Sequence, residues 1–160
     1  MSKKSTGDNA LARGFYRLQI NDAGKIVGDS GWRENTITNN GYDLYICRAF
    51  GAMAGSLQVS YAALGTGTAP AVTDTTLNGE LTDAAGMRCA VTPTTIASKT
   101  IQFAFTLNSG VATAARTIQN VGLFNTSTTN AGSIMAGNTY TTSALATNQA
   151  VQGSYQIRFS

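Results

Sequence analysis

The strictest constraint on this chain is a two-residue hydrophobic period that recurs along it. In Thr100 to Leu107, Ile101, Phe103, Phe105 and Leu107 share one face, and Thr100, Gln102, Ala104 and Thr106 the other. Val151 to Phe159 repeats this, setting Val151, Tyr155, Ile157 and Phe159 (with Gly153) against Gln152, Ser154, Gln156 and Arg158. Successive side chains of a strand point to opposite faces, so the pattern demands strands with one buried and one solvated side. Gly14 to Ile20 alternates likewise, with Tyr16, Leu18 and Ile20 opposite Phe15, Arg17 and Gln19. The Asn21-Asp22-Ala23-Gly24 stretch has the chemistry of a turn, which predicts a hairpin over 14–28. Trp32 to Thr38 and Met87 to Val91 read as further strands, and Ser133 to Ala136 as a short one. Thr117 to Phe124 is apolar enough for a strand covered on both faces.

One segment departs from this period. Tyr42, Tyr45, Ile46, Ala49, Phe50 and Met53 fall on a 3.6-residue stripe, which predicts a helix. Asn39 or Asn40 is expected to cap its start and Gly55 to end it, with Asp43 near the positive N-terminal end. The stripe is expected to pack over an open sheet end or against a neighbouring subunit. Between this helix and the later strands lies Val59 to Leu81, VSYAALGTGTAPAVTDTTLNGEL. An apolar strand exits there through Gly65-Thr66-Gly67, Pro70 blocks a return to a ladder, and Asp74 caps a turn carrying Leu77 and Leu81. Eight or nine short strands with one short helix define an all-β chain, expected as a two-layer antiparallel β-sandwich, jelly-roll-like. Residues 1–12 read as a flexible arm and 13–160 as a single domain; no fixed-period repeat or linker divides them.

Charge narrows the functional classes. Charged residues are 12% of 160, and Thr, Ser, Asn, Gln and Gly stand in their place. Residues 1–48 hold seven of the eleven Lys and Arg, yet no basic run exceeds Lys3-Lys4, which argues against sequence-reading nucleic-acid binding. The longest weakly polar stretch, Tyr42 to Ala54, contains Asp43 and Arg48 and is too short to span a bilayer, and no signal peptide precedes it. A soluble protein made in a cytoplasm is expected.

No catalytic, cofactor or metal residue stands out. The chain has no His, the commonest general base and the middle member of the usual triads. Asp74, Glu80 and Asp83 lie close in sequence, but their spacing fits no calcium loop, and capping accounts for Asp74. Gly65-Thr66-Gly67 lacks the Lys of a phosphate-binding loop and the third Gly of a dinucleotide fingerprint. Cys47 and Cys89 form no CxxC pair and read as free buried thiols. The chain is therefore expected not to be an enzyme. Lys3, Lys4, Phe15 and Trp32 are the candidate partner contacts, although core or sheet-flank packing competes for the two aromatics.

The succession GWRENTITNNGYDLYI, then ALGTGTAPAVTDTTLNGEL, then TIQNVGLFN and GSIMAG, resembles a group of virion proteins of tailed bacteriophages. The likeness covers about Trp32 to Ala136, with LGTGT and GLFN its most specific parts. It implies a β-sandwich structural component, either a capsid cement or decoration protein or a module of a tail fibre, tail tip or baseplate, and it implies no catalytic or metal residue. A small, weakly charged β domain independently suits many identical copies packed edge to edge. The expected function is a capsid cement protein, placed in the virion, whose partners are the major capsid protein and neighbouring copies in a dimer or trimer. Its arm would lie along an acidic shell surface or pair with a neighbour as an added strand. The tail-associated role is the alternative, and a carbohydrate-binding or carbohydrate-active protein the remoter one.

Overall fold

The computed structural model describes residues 12–82 and 87–160; Lys3, Lys4, Asp83 and most of the expected arm lie outside them. Ala12, the last residue of that arm, already opens the first strand. Nine strands follow one another as β1 (Ala12–Asp22), β2 (Lys25–Asp29), β3 (Arg33–Ile37), β4 (Tyr61–Gly65), β5 (Cys89–Ala97), β6 (Thr100–Leu107), β7 (Arg116–Phe124), β8 (Ile134–Leu145) and β9 (Ala150–Phe159). The helical segment α1, Gly41–Cys47 continuing through Arg48–Phe50, lies between β3 and β4.

The expected sandwich is not what forms. Eight strands, in the order β1-β3-β8-β7-β4-β5-β6-β9, close into a barrel when β9 pairs with β1, and β2 hangs beside β1. Every pairing is antiparallel. A sandwich would leave β1 and β9 as edges, but here Ala12 to Asn21 run opposite Phe159 to Ala150. The other edge of β1 is divided, with Gly14 to Tyr16 on β3 and Gln19 to Asp22 on β2. Two strands turn the corners. β3 gives Arg33 to Asn35 to β1 and Thr36 and Ile37 to β8, while β5 gives Cys89 and Ala90 to β4 and its remainder to β6. Bulges in β5, at Ile96, and in β8, at Met135 and between Thr139 and Ser143, supply the bending that closure needs. Pro93 is tolerated in β5 because it lies beyond the two residues that pair with β4.

The alternating strands behave as their period requires. Tyr16, Leu18 and Ile20 from β1, Phe103, Phe105 and Leu107 from β6, and Val151, Tyr155 and Ile157 from β9 fill the interior. β7 and the start of β8 are buried on both faces, as the apolar run in β7 requires, because the 66–82 segment folds back over their outer side. There Leu77 packs with Ala63, Phe124 and Ile134 in a second, smaller cluster.

The helix differs from its expected form. Gly41–Cys47 winds with π geometry, so its register drifts from the 3.6-residue stripe. Tyr45 is buried and Leu44 and Ile46 pack against the core, whereas Tyr42, Phe50 and Met53 are exposed. Neither Asn39 nor Asn40 supplies the cap. Thr38, fully buried, accepts from the Gly41 N–H at 3.0 Å and donates to the Ile134 carbonyl at 2.7 Å. The helix ends at Gly51, not Gly55. β8 is also longer than the Ser133–Ala136 reading, since its Thr-rich half continues to Leu145.

Candidate functional site

The corner after β4 is held by its glycines and by one asparagine. A Cβ on Gly67 would lie 2.3 Å from the Asn78 carbonyl oxygen, and one on Gly65 2.9 Å from the Gly79 carbonyl oxygen. The Gly-Thr-Gly turn is therefore glycine because backbone from the returning segment occupies the space a side chain needs. Asn120, fully buried, donates from Nδ2 to the Thr68 and Asn78 carbonyls at 2.9 and 2.8 Å, stitching both sides of the loop to β7. Asp74 was expected to cap the turn carrying Leu77 and Leu81, but its carboxylate instead accepts from the Ala71 N–H at 2.8 Å and closes the turn before it.

Glu80 has a partner that the sequence reading missed. It forms a two-pronged ion pair with Arg88, Nε to Oε1 at 2.6 Å and Nη2 to Oε2 at 2.9 Å, and both side chains are essentially buried. Arg88 Nη1 donates to the Thr126 and Ala131 carbonyls, each at 2.9 Å, and its guanidinium lies 3.8 Å from the Phe124 ring centre. The Asn130 N–H donates to Glu80 Oε2 at 3.2 Å. Such geometry spends both charges on holding the 125–132 loop against the barrel. Asp74 and Glu80 thus serve different contacts, and no group of three metal-ligating side chains occurs among the described residues.

The two cysteines separate. Cys89 is buried, with its thiol pushed up to about 12 by desolvation. Cys47 is exposed, contrary to the expectation of two buried thiols, and its place off the apolar stripe is the signal that marked it. Both are free.

Phe15 and Trp32 are brought together on the outside of the barrel. The Arg158 guanidinium lies 4.2 Å from the Phe15 ring centre and 6.0 Å from that of Trp32. Arg158 is in turn held by Gln156, whose Oε1 accepts from Nε and Nη2 at 3.1 and 2.8 Å.

A second exposed feature lies at the barrel end beneath α1. An open cavity of about 550 Å³ is lined by Tyr45, Ile46, Leu57, Ile101, Met135 and Phe159 among others, nearly all apolar. Phe50 is 78% exposed on its rim, tilted against Phe159 at 6.3 Å between ring centres, and Met53 is 58% exposed. Compared with protein-family models, curated proteins and solved structures, the chain gives no match.

Proposed function

We propose that this chain is a virion structural protein of a tailed bacteriophage, a capsid cement protein that holds to the outer shell by non-covalent contacts. The observation that carries the reading is the apolar barrel end, where Phe50 is exposed on the rim of an apolar cavity, with Tyr42 in the same helical segment and Met53 just after it also exposed. Exposed apolar surface of this kind marks contact with another protein surface. The phage-like motifs support the same reading, because LGTGT forms β4 and the glycine corner, and GLFN ends the doubly covered strand β7. Residues that carry the resemblance thus build the scaffold, as in a protein whose work is to be a rigid, repeated block. Its partners are the major capsid protein and neighbouring copies of itself.

Densitometry of gels run on purified particles tests this. A copy number comparable with that of the shell subunit is expected, and Phe50→Asp with Met53→Asp should release the protein from particles while leaving it folded. A copy number far below the shell subunit's places the chain in the tail and overturns the cement reading.

A further inference from the structure

The outer face of β1, β9 and β6 carries a trough that opens away from the barrel interior and from the cavity under α1. Strand register creates it. Arg17 lies opposite Ser154, Ser154 opposite Ala104, and Ala104 opposite Thr92. On one side runs a row of longer side chains, Gln19, Gln152 and Thr106; on the other run Phe15, Gln156 and Gln102. Two small residues between these rows leave a furrow crossing the strands. It consists of two depressions, about 270 and 550 Å³, that share Ala104, Phe105 and Thr106. Trp32, 41% exposed, lines the first of them.

We infer that this trough binds a neutral oligosaccharide of pyranose units. A pyranose presents an apolar C–H face and hydroxyls that both donate and accept. The trough offers the complement, an exposed indole as a flat apolar platform, with amides and hydroxyls that also do both. Its walls are held in advance. Gln156 Nε2 donates to Gln102 Oε1 at 2.9 Å, and Asp29 receives Arg17 Nε at 3.0 Å and Gln19 Nε2 at 3.0 Å. The two cations lining the depressions, Arg17 and Arg88, are paired with Asp29 and Glu80, so the site favours an uncharged ligand over a polyanion. A peptide is disfavoured because β9 is paired on both sides, to β1 and β6, and β6 to β9 and β5. Neither β9 nor β6, which floor the trough, leaves an edge for backbone pairing. The inference is independent of shell attachment, which is read from copy number and the α1 end.

Trp32 is the single tryptophan, so its fluorescence reports occupancy directly. The purified chain is titrated with maltohexaose, cellohexaose and N-acetylchitohexaose. A saturable change with at least one is expected. Ser154→Leu, which fills the furrow floor, should weaken it by about tenfold or more, with the circular dichroism spectrum and melting curve retained. Trp32→Ala should do the same when binding is followed by calorimetry. No saturable change with any of the three up to their solubility limits overturns the inference. So does binding that Ser154→Leu leaves unaltered, and so does equal or tighter binding of a blocked hexapeptide pool or of heparin.

Discussion

Glu80 and Arg88 show how a single pair of residues governs a local structure. Taking either charge out of water is costly, and the pair recovers that cost through its two-pronged geometry and the carbonyls around Arg88. Removing one partner leaves the other charged and buried. Glu80→Gln alone and Arg88→Met alone should each lose about 3–5 kcal/mol of stability by urea unfolding. The double substitution Glu80→Gln with Arg88→Met should recover much of that loss. A double-variant loss equal to the sum of the two single losses would show the two residues acting separately. This contact was not legible in the sequence. Glu80 stood out only as a neighbour of Asp74 and Asp83, and nothing in the spacing of Glu80 and Arg88 tells that 125–132 closes over both. Asp74 was legible as a turn residue, because its contact is local, but not in its direction, which runs back to Ala71.

At the scale of elements, short-range periodicity was read well where one face is buried and poorly where backbone geometry departs from the ideal. β1, β6 and β9 lie where their alternation placed them, and the turn at Asn21 closes through its own side chain to the Gly24 N–H at 2.8 Å. α1 was legible as a helix but not in its facing. A π turn holds more residues and so narrows the angular step per residue, and Leu44 turns inward and Phe50 outward. The far half of β8 was missed because Gly137 to Leu145 carries no apolar alternation, only the strand preference of threonine. Thr38 is the hinge between β3 and α1, bonded at once to the helix start and to β8. Thr38→Val keeps the shape and deletes those bonds, leaving the Gly41 N–H and the Ile134 carbonyl short of the hydroxyl, while the Met135 carbonyl keeps the Thr38 backbone N–H. A loss of about 1–3 kcal/mol is expected by thermal or urea unfolding. Hydrogen exchange should rise first in 41–50.

For the whole molecule, closure was the feature that pattern could not reveal. A barrel and a sandwich impose the same inward and outward alternation, and they differ only in whether β9 finds β1. The closed interior has a measurable signature in its tyrosines. Burial pushes the Tyr16 phenol up to about 12 and raises Tyr45, Tyr140 and Tyr155 further in the same direction. These phenols hold their protons in the folded state at pH values where the unfolded chain has released them. The stability this contributes is complete below the ordinary value of 10.0 and is lost as pH climbs from there towards 12 and beyond. The urea midpoint should therefore fall steadily above pH 10.0, and phenolate absorbance from these four should appear together with loss of the near-ultraviolet dichroism. Ionisation of all four with the dichroism intact would contradict a closed interior. The seam between β1 and β9 also sets a clock on biosynthesis. β1 is made before the other strands of the barrel and waits, with one long edge bare, for β9, which is made after them. The slow and exposed moment for this protein is thus the interval before that late encounter, and crowded synthesis of many copies is where its losses to aggregation concentrate.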